Sequence, residues 1–132
     1  MMFLSGVADG LNQTVMFHYY AFENRFPNAN EGYWNPTTAS WKNKWKNGDP
    51  TQGEAFFGSS SFLVWTTDGF HLSGTIDNAM MFGGIGLGTW GSLKEGREWW
   101  WYLIDAAIYG SVRSFGFWLT YDVFFEYKSL LQ

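Results

Sequence analysis

The aromatic content of the chain constrains its fold more than any other property of the sequence. The 132 residues include thirteen phenylalanines, nine tryptophans and seven tyrosines, whereas only 15% of the residues are charged. An average soluble domain has about 25% charged residues, and a domain of this length buries only a modest fraction of its surface. Some of the rings are therefore expected to contact lipid, a partner or a ligand rather than the chain's own core.

Charge and cysteine content exclude several classes of function. The net charge is −4, and the main basic cluster consists of Lys42, Lys44 and Lys46. We therefore expect no nucleic-acid partner. The chain has no cysteine, which excludes disulfides, thiolate chemistry and cysteine metal sites. The length predicts a single domain over residues 1–132.

Long apolar blocks separated by polar segments predict an all-α fold of about three helices. In the first block, Val7, Leu11 and Val15 recur at helical spacing. The second and third blocks are too long for ordinary strands and lack turn signals at strand-like intervals. A segment with all three prolines and many asparagines and glycines predicts a long Trp- and Lys-rich loop. The expected elements are helices at about 3–22, 56–89 and 99–131, with the loop at 23–55.

Tryptophan placement and small-residue spacing together favour a membrane bundle. Trp99, Trp100 and Trp101 begin the third block and Trp118 lies near its end, as in the aromatic belts of membrane helices. Trp101 and Trp118 would lie about 25 Å apart along a helix, close to the hydrocarbon thickness of a bilayer. Small residues at four-residue spacing allow close helix packing in lipid. They are Ala79, Gly83, Gly84, Gly88, Ala106, Gly110 and Ser114.

The distribution of basic residues predicts a topology. The long loop holds more lysine and arginine than the short turn before the third block, so the loop is expected to be cytoplasmic and the protein to lie in the inner or cytoplasmic membrane. The expected partners are membrane lipid and other membrane subunits or further copies of the chain. Rings and ammonium groups are expected to anchor the chain at the headgroup level. These residues are Trp34, Trp41, Lys42, Lys44, Trp45, Trp99, Trp100 and Trp101.

Ionisable residues inside the predicted helices are the candidates for function. A charged group at the centre of a bilayer costs about 2.5–3.5 kcal/mol on insertion scales, so such groups are expected to face the bundle interior and pair. Asp68 and His71 are three positions apart and share a helix face. Asp105 lies about 12 Å from Arg113 along the same helix. Arg113 is therefore expected to pair with Asp68 or Asp77 on the neighbouring helix.

Four of these residues are candidate catalytic groups: His18, Asp68, His71 and Asp105. The first three supply two imidazoles and a carboxylate, a ligand set that suits zinc or non-haem iron. Asp105 would then orient an imidazole or act as a base. Two alternatives stay open: the groups simply satisfy one another without any cofactor, or His71 carries protons together with Asp68.

Two segments resemble a family of small predicted membrane proteins of Bacteroidota and phages. They are FHYYAF and YWNPTTASWKNKWKNGDPTQGEAFFGSSSFLVWTTDGFH. The family pattern contains F-H-Y, W-N-P, S-W-K-N-K-W and T-D-G-F-H, and the similarity covers about half of the chain. This sequence departs by one extra residue between Pro36 and Ser40 and by a glycine-rich second helix. The resemblance implies a membrane location, further apolar sequence before Met1 and no known reaction. The matched residues are His18, Trp34, Asn35, Pro36, Ser40, Trp41, Asn43, Lys44, Asp68 and His71.

The sequence thus predicts a small integral membrane protein, acting as a structural or accessory subunit with an intramembrane polar cluster. One alternative is a membrane-embedded, metal-dependent hydrolase acting on lipid-like substrates. The other is a soluble, aromatic-rich subunit of a larger assembly. The sequence alone does not decide whether the protein is an enzyme.

Overall fold

The computed structural model describes residues 1–125, and it confirms a mostly helical, all-α chain. This part of the chain has five α-helices rather than three, together with short 3-10 turns, one isolated bridge between Trp45 and Glu54, and no strand. A π-helical segment, Leu119–Phe124, continues the last α-helix. The α-helices are α1 Met2–Phe17, α2 Tyr19–Arg25, α3 Glu31–Trp34, α4 Gly69–Lys94 and α5 Trp99–Trp118.

The N-terminal helix α1 lies between α4 and α5 and makes most of the contacts between the long helices. Its approach to α5 depends on glycine. A Cβ on Gly6 would overlap the carbonyl oxygen of Arg113, and one on Gly116 would overlap the carbonyl oxygen of Phe3. A Cβ on Gly10 would lie 2.9 Å from the Cβ of Thr120. The two backbones are therefore close enough that no side chain fits between them at these positions.

The interior between the long helices is small and largely polar. The buried residues of α1 include Ser5, Asn12 and Thr14 beside glycine and alanine. The Asn12 side-chain amide donates to the Phe70 carbonyl oxygen at 2.6 Å and to the Ser73 hydroxyl at 3.1 Å. An apolar cluster lies where α1 meets α2, and its buried members are Val15, Ala21, Phe22 and Phe125.

The helix boundaries differ from the predicted ones for local reasons. The predicted first helix divides at His18, whose backbone leaves the helical region at φ −138°. The predicted second helix starts at Gly69 instead of residue 56, because the Asp68 side chain caps its first turn. That helix also continues beyond residue 89 to Lys94. The last part of the predicted third helix, residues 126–131, lies outside the described residues.

The membrane prediction was wrong. Among residues 1–125, no helix combines the length and the apolar character that crossing a membrane requires. Helix α4 has 26 residues, but its apolar side chains alternate with glycines, hydroxyl residues and the pair Asp77 and Asn78. Helix α5 carries the charged residues Asp105 and Arg113. The predicted integral membrane protein, its transmembrane helices, its location in the inner or cytoplasmic membrane and its cytoplasmic loop are all corrected by this finding. The prediction relied on the positions of tryptophans and small residues. Those positions do not show whether a helix is apolar along its whole length.

Most of the predicted loop is folded into short turns. The Asn35 side-chain oxygen accepts from the backbone N–H groups of Thr37 and Thr38 at 3.2 and 3.3 Å. The Asn35 carbonyl oxygen accepts from the Ser40 N–H at 2.7 Å. These bonds close the turn that follows α3.

Candidate functional site

The first candidate site surrounds the carboxylate of Asp68 at the start of α4. This side chain is fully buried. Its oxygens accept from the His71 backbone N–H at 2.8 Å, from the His71 Nδ1–H at 2.8 Å and from the Thr67 hydroxyl at 2.9 Å. The geometry pairs the carboxylate with the imidazole and directs the Nδ1 edge of the ring inwards. Asp68 was predicted to lie inside the helix at about 56–89, whereas it is the N-terminal cap of α4.

Hydrogen bonding keeps this buried carboxylate charged. Burial alone raises the pKa of Asp68, but the hydrogen bonds from His71 and Thr67 and the charge of His71 outweigh burial and hold that pKa below its ordinary value. Burial, followed by the negative charge of Asp68, raises the pKa of the nearby Tyr33 phenol. Asp68 is thus an ionised hydrogen-bond acceptor, and His71 is its partially exposed partner.

The folded loop packs directly on this cap. The Trp34 ring lies over Gly69 so closely that a Cβ there would overlap it. The Asn43 side-chain amide donates to the Thr67 carbonyl oxygen at 3.0 Å and to the Gly32 carbonyl oxygen at 2.7 Å. The W-N-P, S-W-K-N-K-W and T-D-G-F-H segments therefore meet at the start of α4. The roles of Asn43 and Thr67 were not predicted from the sequence. The capping role of Asp68 had a recognisable signal, because an aspartate directly before the first helical residue is a common N-cap.

The second candidate site is an ion cluster that joins the three long helices. The Arg113 guanidinium on α5 donates to Asp9 at 2.8 Å, to Asp77 at 3.1 Å and to the Ser5 hydroxyl at 3.1 Å. The Ser5 hydroxyl in turn donates to Asp77. Burial lowers the pKa of Arg113, but the hydrogen bonds and charges of Asp77 and Asp9 outweigh it and raise that pKa. The structure thus brings the predicted pair Arg113 and Asp77 together, and adds Asp9, which sequence analysis did not include.

The remaining catalytic candidates lie elsewhere. The Asp105 carboxylate binds Arg97 at 3.0 Å near the turn between α4 and α5. The His18 ring, at the end of α1, contacts the rings of Tyr20 and Tyr121 at centroid distances of 6.2 and 5.5 Å. In the described range 1–125, no three or more histidine and carboxylate side chains are arranged to hold a metal ion. The proposed ligand set of His18, Asp68 and His71 is therefore not assembled there.

The residues predicted to anchor the chain at headgroup level occupy two regions. In the loop, Trp34 packs on Phe22 at a centroid distance of 5.1 Å. The Lys42 ammonium lies 5.8 Å from the Trp41 ring centroid, and the backbones of Trp45 and Lys44 contact residues 54 and 55. At the start of α5, Trp100 and Trp101 stack at 4.3 Å, and Trp99 is 71% exposed.

A third feature is the number of large apolar side chains that point away from the protein on α4 and α5. Eight of them are more than half exposed. Phe82, Trp90 and Leu93 fall on one side of α4 at helical spacing, opposite the side that packs on α1. We refer to the following eight as the exposed apolar set: Phe82, Leu87, Trp90, Leu93, Trp99, Leu103, Ile108 and Phe115.

Comparison with protein-family models, curated proteins and solved structures gave no match. The resemblance to the family of small predicted membrane proteins therefore stays a prediction. The candidate sites are therefore described from their distances, burial and hydrogen bonds alone.

The charge on Asp68 is expected to make the fold acid-sensitive. Because its pKa is lowered in the folded protein, its contribution to stability is complete above the unfolded carboxyl value of about 3.9. That contribution is lost as pH falls through the lower, folded pKa. Asp68→Asn keeps a side-chain cap but removes the charge, so it should lower the free energy of unfolding near neutral pH by about 1 kcal/mol.

Urea unfolding of both proteins, followed from neutral pH to about pH 3, tests this expectation. The asparagine variant should lose less stability than the wild type as the solution is acidified. Asp68→Ala removes the cap as well as the charge and should cost about 1 kcal/mol more. Parallel stability curves for the wild type and Asp68→Asn would show that the carboxylate does not carry this acid dependence.

Proposed function

We propose that this protein is a subunit of a larger protein assembly, in which a partner protein covers the exposed apolar set on α4 and α5. The supporting observation is the exposure of those eight large side chains on the two helices that pack against α1. Four of them lie within two turns of the connection between α4 and α5, namely Trp90, Leu93, Trp99 and Leu103. This is the aromatic-rich assembly subunit that composition left open as an alternative.

These eight side chains would gain free energy from being covered by a partner. Monomeric proteins rarely expose contiguous apolar patches of more than a few hundred Å². Fully burying one leucine or phenylalanine side chain contributes about 1.5–3 kcal/mol. Tryptophan, the residue at positions 90 and 99, is among the residue types that contribute most to protein–protein binding energy. A partner that covers even part of the exposed apolar set would therefore gain substantial binding energy.

The two helices are also held in place before any partner binds. Arg113 on α5 contacts Asp9 on α1 and Asp77 on α4, so one guanidinium joins all three helices. At the turn between α4 and α5, Arg97 binds both Ser92 and Asp105. Because these contacts are internal, a partner would meet a preformed surface and little ordering energy would be lost on binding.

Site-specific photo-crosslinking in the producing cells tests this proposal. A photoreactive amino acid is placed at Trp90 or at Leu103, both in the exposed apolar set. The matched control positions are Asn47 and Gln52, which are also exposed but lie in the polar turn of the loop. The expected result is one discrete protein adduct from the two helix positions and none from the two loop positions.

A second measurement uses the triple variant Phe82→Ser, Trp90→Ser and Leu93→Ser. The exposed positions of these side chains predict retained helix content, because none of the three belongs to the buried core. The discrete adduct at Leu103 should decrease at least about tenfold, since each lost contact is worth on the order of 1 kcal/mol or more. Equal crosslinking from helix and loop positions, or an adduct unchanged by the triple variant, would contradict the proposal.

A further inference from the structure

One side of α4 points away from the rest of the protein. Gly84 faces the start of α1, where a Cβ would lie 2.8 Å from the Met2 side chain. A Cβ on Gly86 would meet no atom of the described residues within 4 Å, so the side of the helix that carries Gly86 is open. The exposed residues on this side are Ala79, Phe82, Gly86, Trp90 and Leu93, and we refer to them as the outer row of α4.

The outer row has the same spacing in both directions from Gly86. Phe82 and Trp90 lie four residues on either side of it, about 6 Å along the helix. Ala79 and Leu93 lie seven residues on either side, about 10 Å along the helix. When a second, identical helix is placed antiparallel on this row, glycine meets glycine. The Phe82 ring then lies opposite the Trp90 ring of the second copy, and the small Ala79 lies opposite the larger Leu93.

The surface around the outer row carries no charge that a different kind of partner would have to match. Residues 78–93 contain no aspartate, glutamate, lysine or arginine. On α5, Asp105 and Arg113 are held in ion pairs within the chain. Homodimer interfaces are more apolar than those of transient complexes, and their cores are depleted in charged residues. A second copy brings the same uncharged surface, so no charge would be buried without a partner.

The two aromatic side chains of the outer row supply much of the area that a dimer requires. Phe82 and Trp90 are each 64% exposed. Because an aromatic side chain buries about 150–250 Å², the two rings would bury about 200–300 Å² per copy. That is a quarter or more of the roughly 800 Å² that each partner buries in a standard interface. Leu93 and Ile85, which are 67% and 43% exposed on the same helix, add to this area.

From this symmetry we infer that the partner on α4 is a second copy of this chain, in an antiparallel dimer whose twofold axis passes at Gly86. A twofold interface uses the same surface on both copies, so each contact occurs twice. The missing side chain at Gly86 lets the two backbones approach closely, and the contacts between Phe82 and Trp90 on either side exclude water. The inference rests on the proposed assembly, because it names the partner that covers α4.

Sedimentation equilibrium of the purified full chain tests the dimer, and twice the mass of the chain is expected at micromolar concentrations. Gly86→Leu places a side chain at the axis without meeting an atom of the described residues at its Cβ, and leucine favours a helix more than glycine does. The monomer should therefore stay folded, as circular dichroism would show. The dissociation constant should rise at least about 100-fold, because both copies carry the overlapping side chain.

The matched control is Gly91→Leu. Position 91 lies about 140° around the helix from Gly86, and a Cβ there also meets no atom of the described residues within 4 Å. The same side chain is therefore added to the same helix away from the outer row. This variant should dimerise as the wild type does.

Single cysteines test the register of the two helices, because the natural chain has no cysteine. Under mild oxidation, Gly86→Cys should form a disulfide-linked dimer, since the two copies of position 86 meet at the axis. The two copies of position 79 would lie about 20 Å apart, so Ala79→Cys alone should not cross-link. A mixture of Ala79→Cys and Leu93→Cys should cross-link, because these two positions lie opposite each other.

A chain that stays monomeric at every concentration would overturn this inference. A photo-crosslinked adduct between Trp90 and a different protein would in that case still support the assembly, whereas both proposals would fail if neither an adduct nor a dimer formed. Dimerisation that Gly86→Leu does not weaken would also overturn the inference. Equal cross-linking of Ala79→Cys alone and Gly86→Cys would do the same.

Discussion

Replacing Gly116 with leucine is expected to separate α1 from α5 and to lower the free energy of unfolding by about 3 kcal/mol or more. A Cβ at this position would overlap the Phe3 carbonyl oxygen and lie 3.2 Å from the Val7 backbone nitrogen. Both obstacles are backbone atoms of a helix, so they cannot move aside as a flexible side chain would. The only relief is a shift of α1, which would also disturb the contacts of Ser5 and Asp9 with Arg113.

The matched control for this substitution is Gly110→Ala on the same helix. A Cβ at Gly110 meets no atom within 4 Å, so alanine should gain about 1 kcal/mol from its higher helix propensity. Thermal and urea unfolding followed by circular dichroism would measure both variants. If Gly116→Leu and Gly110→Ala had similar stabilities, the close approach of α1 and α5 would not be needed for the fold.

Replacing Arg113 with leucine is the second change with a large expected effect. It leaves the carboxylates of Asp9 and Asp77 close together without the guanidinium that binds both. Removing one partner from a fully buried ion pair costs about 3–5 kcal/mol. The three side chains are 29%, 20% and 14% exposed, so solvent screening reduces the expected loss to about 2 kcal/mol.

A double-mutant cycle would identify the cause of that loss. Asp77→Asn alone keeps the bond between Arg113 and Asp9 and should cost about 1 kcal/mol. The double variant Arg113→Leu with Asp77→Asn relieves the repulsion between the two carboxylates, so it should be more stable than the sum of the single changes predicts. Strict additivity of the two losses would mean that the cluster does not act as a unit.

The small residues of the helices show what their spacing in the sequence can and cannot predict about helix packing. The four-residue spacing of Gly83, Gly84, Gly88 and Gly110 predicted close packing of the second and third blocks. Gly88 meets this expectation, because a Cβ there would overlap the Tyr109 side chain on α5, whereas Gly83 and Gly84 lie against the methionines at the start of α1 and Gly110 faces open space. The closest approach of two helix backbones is instead between α1 and α5, at Gly6 and Gly116. Spacing identifies which residues share a helix face, but it does not identify the neighbour that this face meets.

The sequence by itself determined the local features of this protein. Apolar blocks too long for strands led to a helical fold, and the high aromatic and low charge content led to the expectation of external contacts. The three-residue spacing of Asp68 and His71 was enough to place both groups together. Composition is a property of the whole chain, and contacts between residues a few positions apart follow from the local backbone, so both can be inferred from residue identity and spacing alone.

Only the tertiary structure decided which distant segments meet. It placed α1 between α4 and α5, added Asp9 to the pair of Arg113 and Asp77, and packed Trp34 on the start of α4. It also showed that the large apolar side chains of α4 and α5 point outwards around a polar interior. Such contacts depend on how whole helices pack, and residues far apart in sequence carry no local signal of their eventual neighbours.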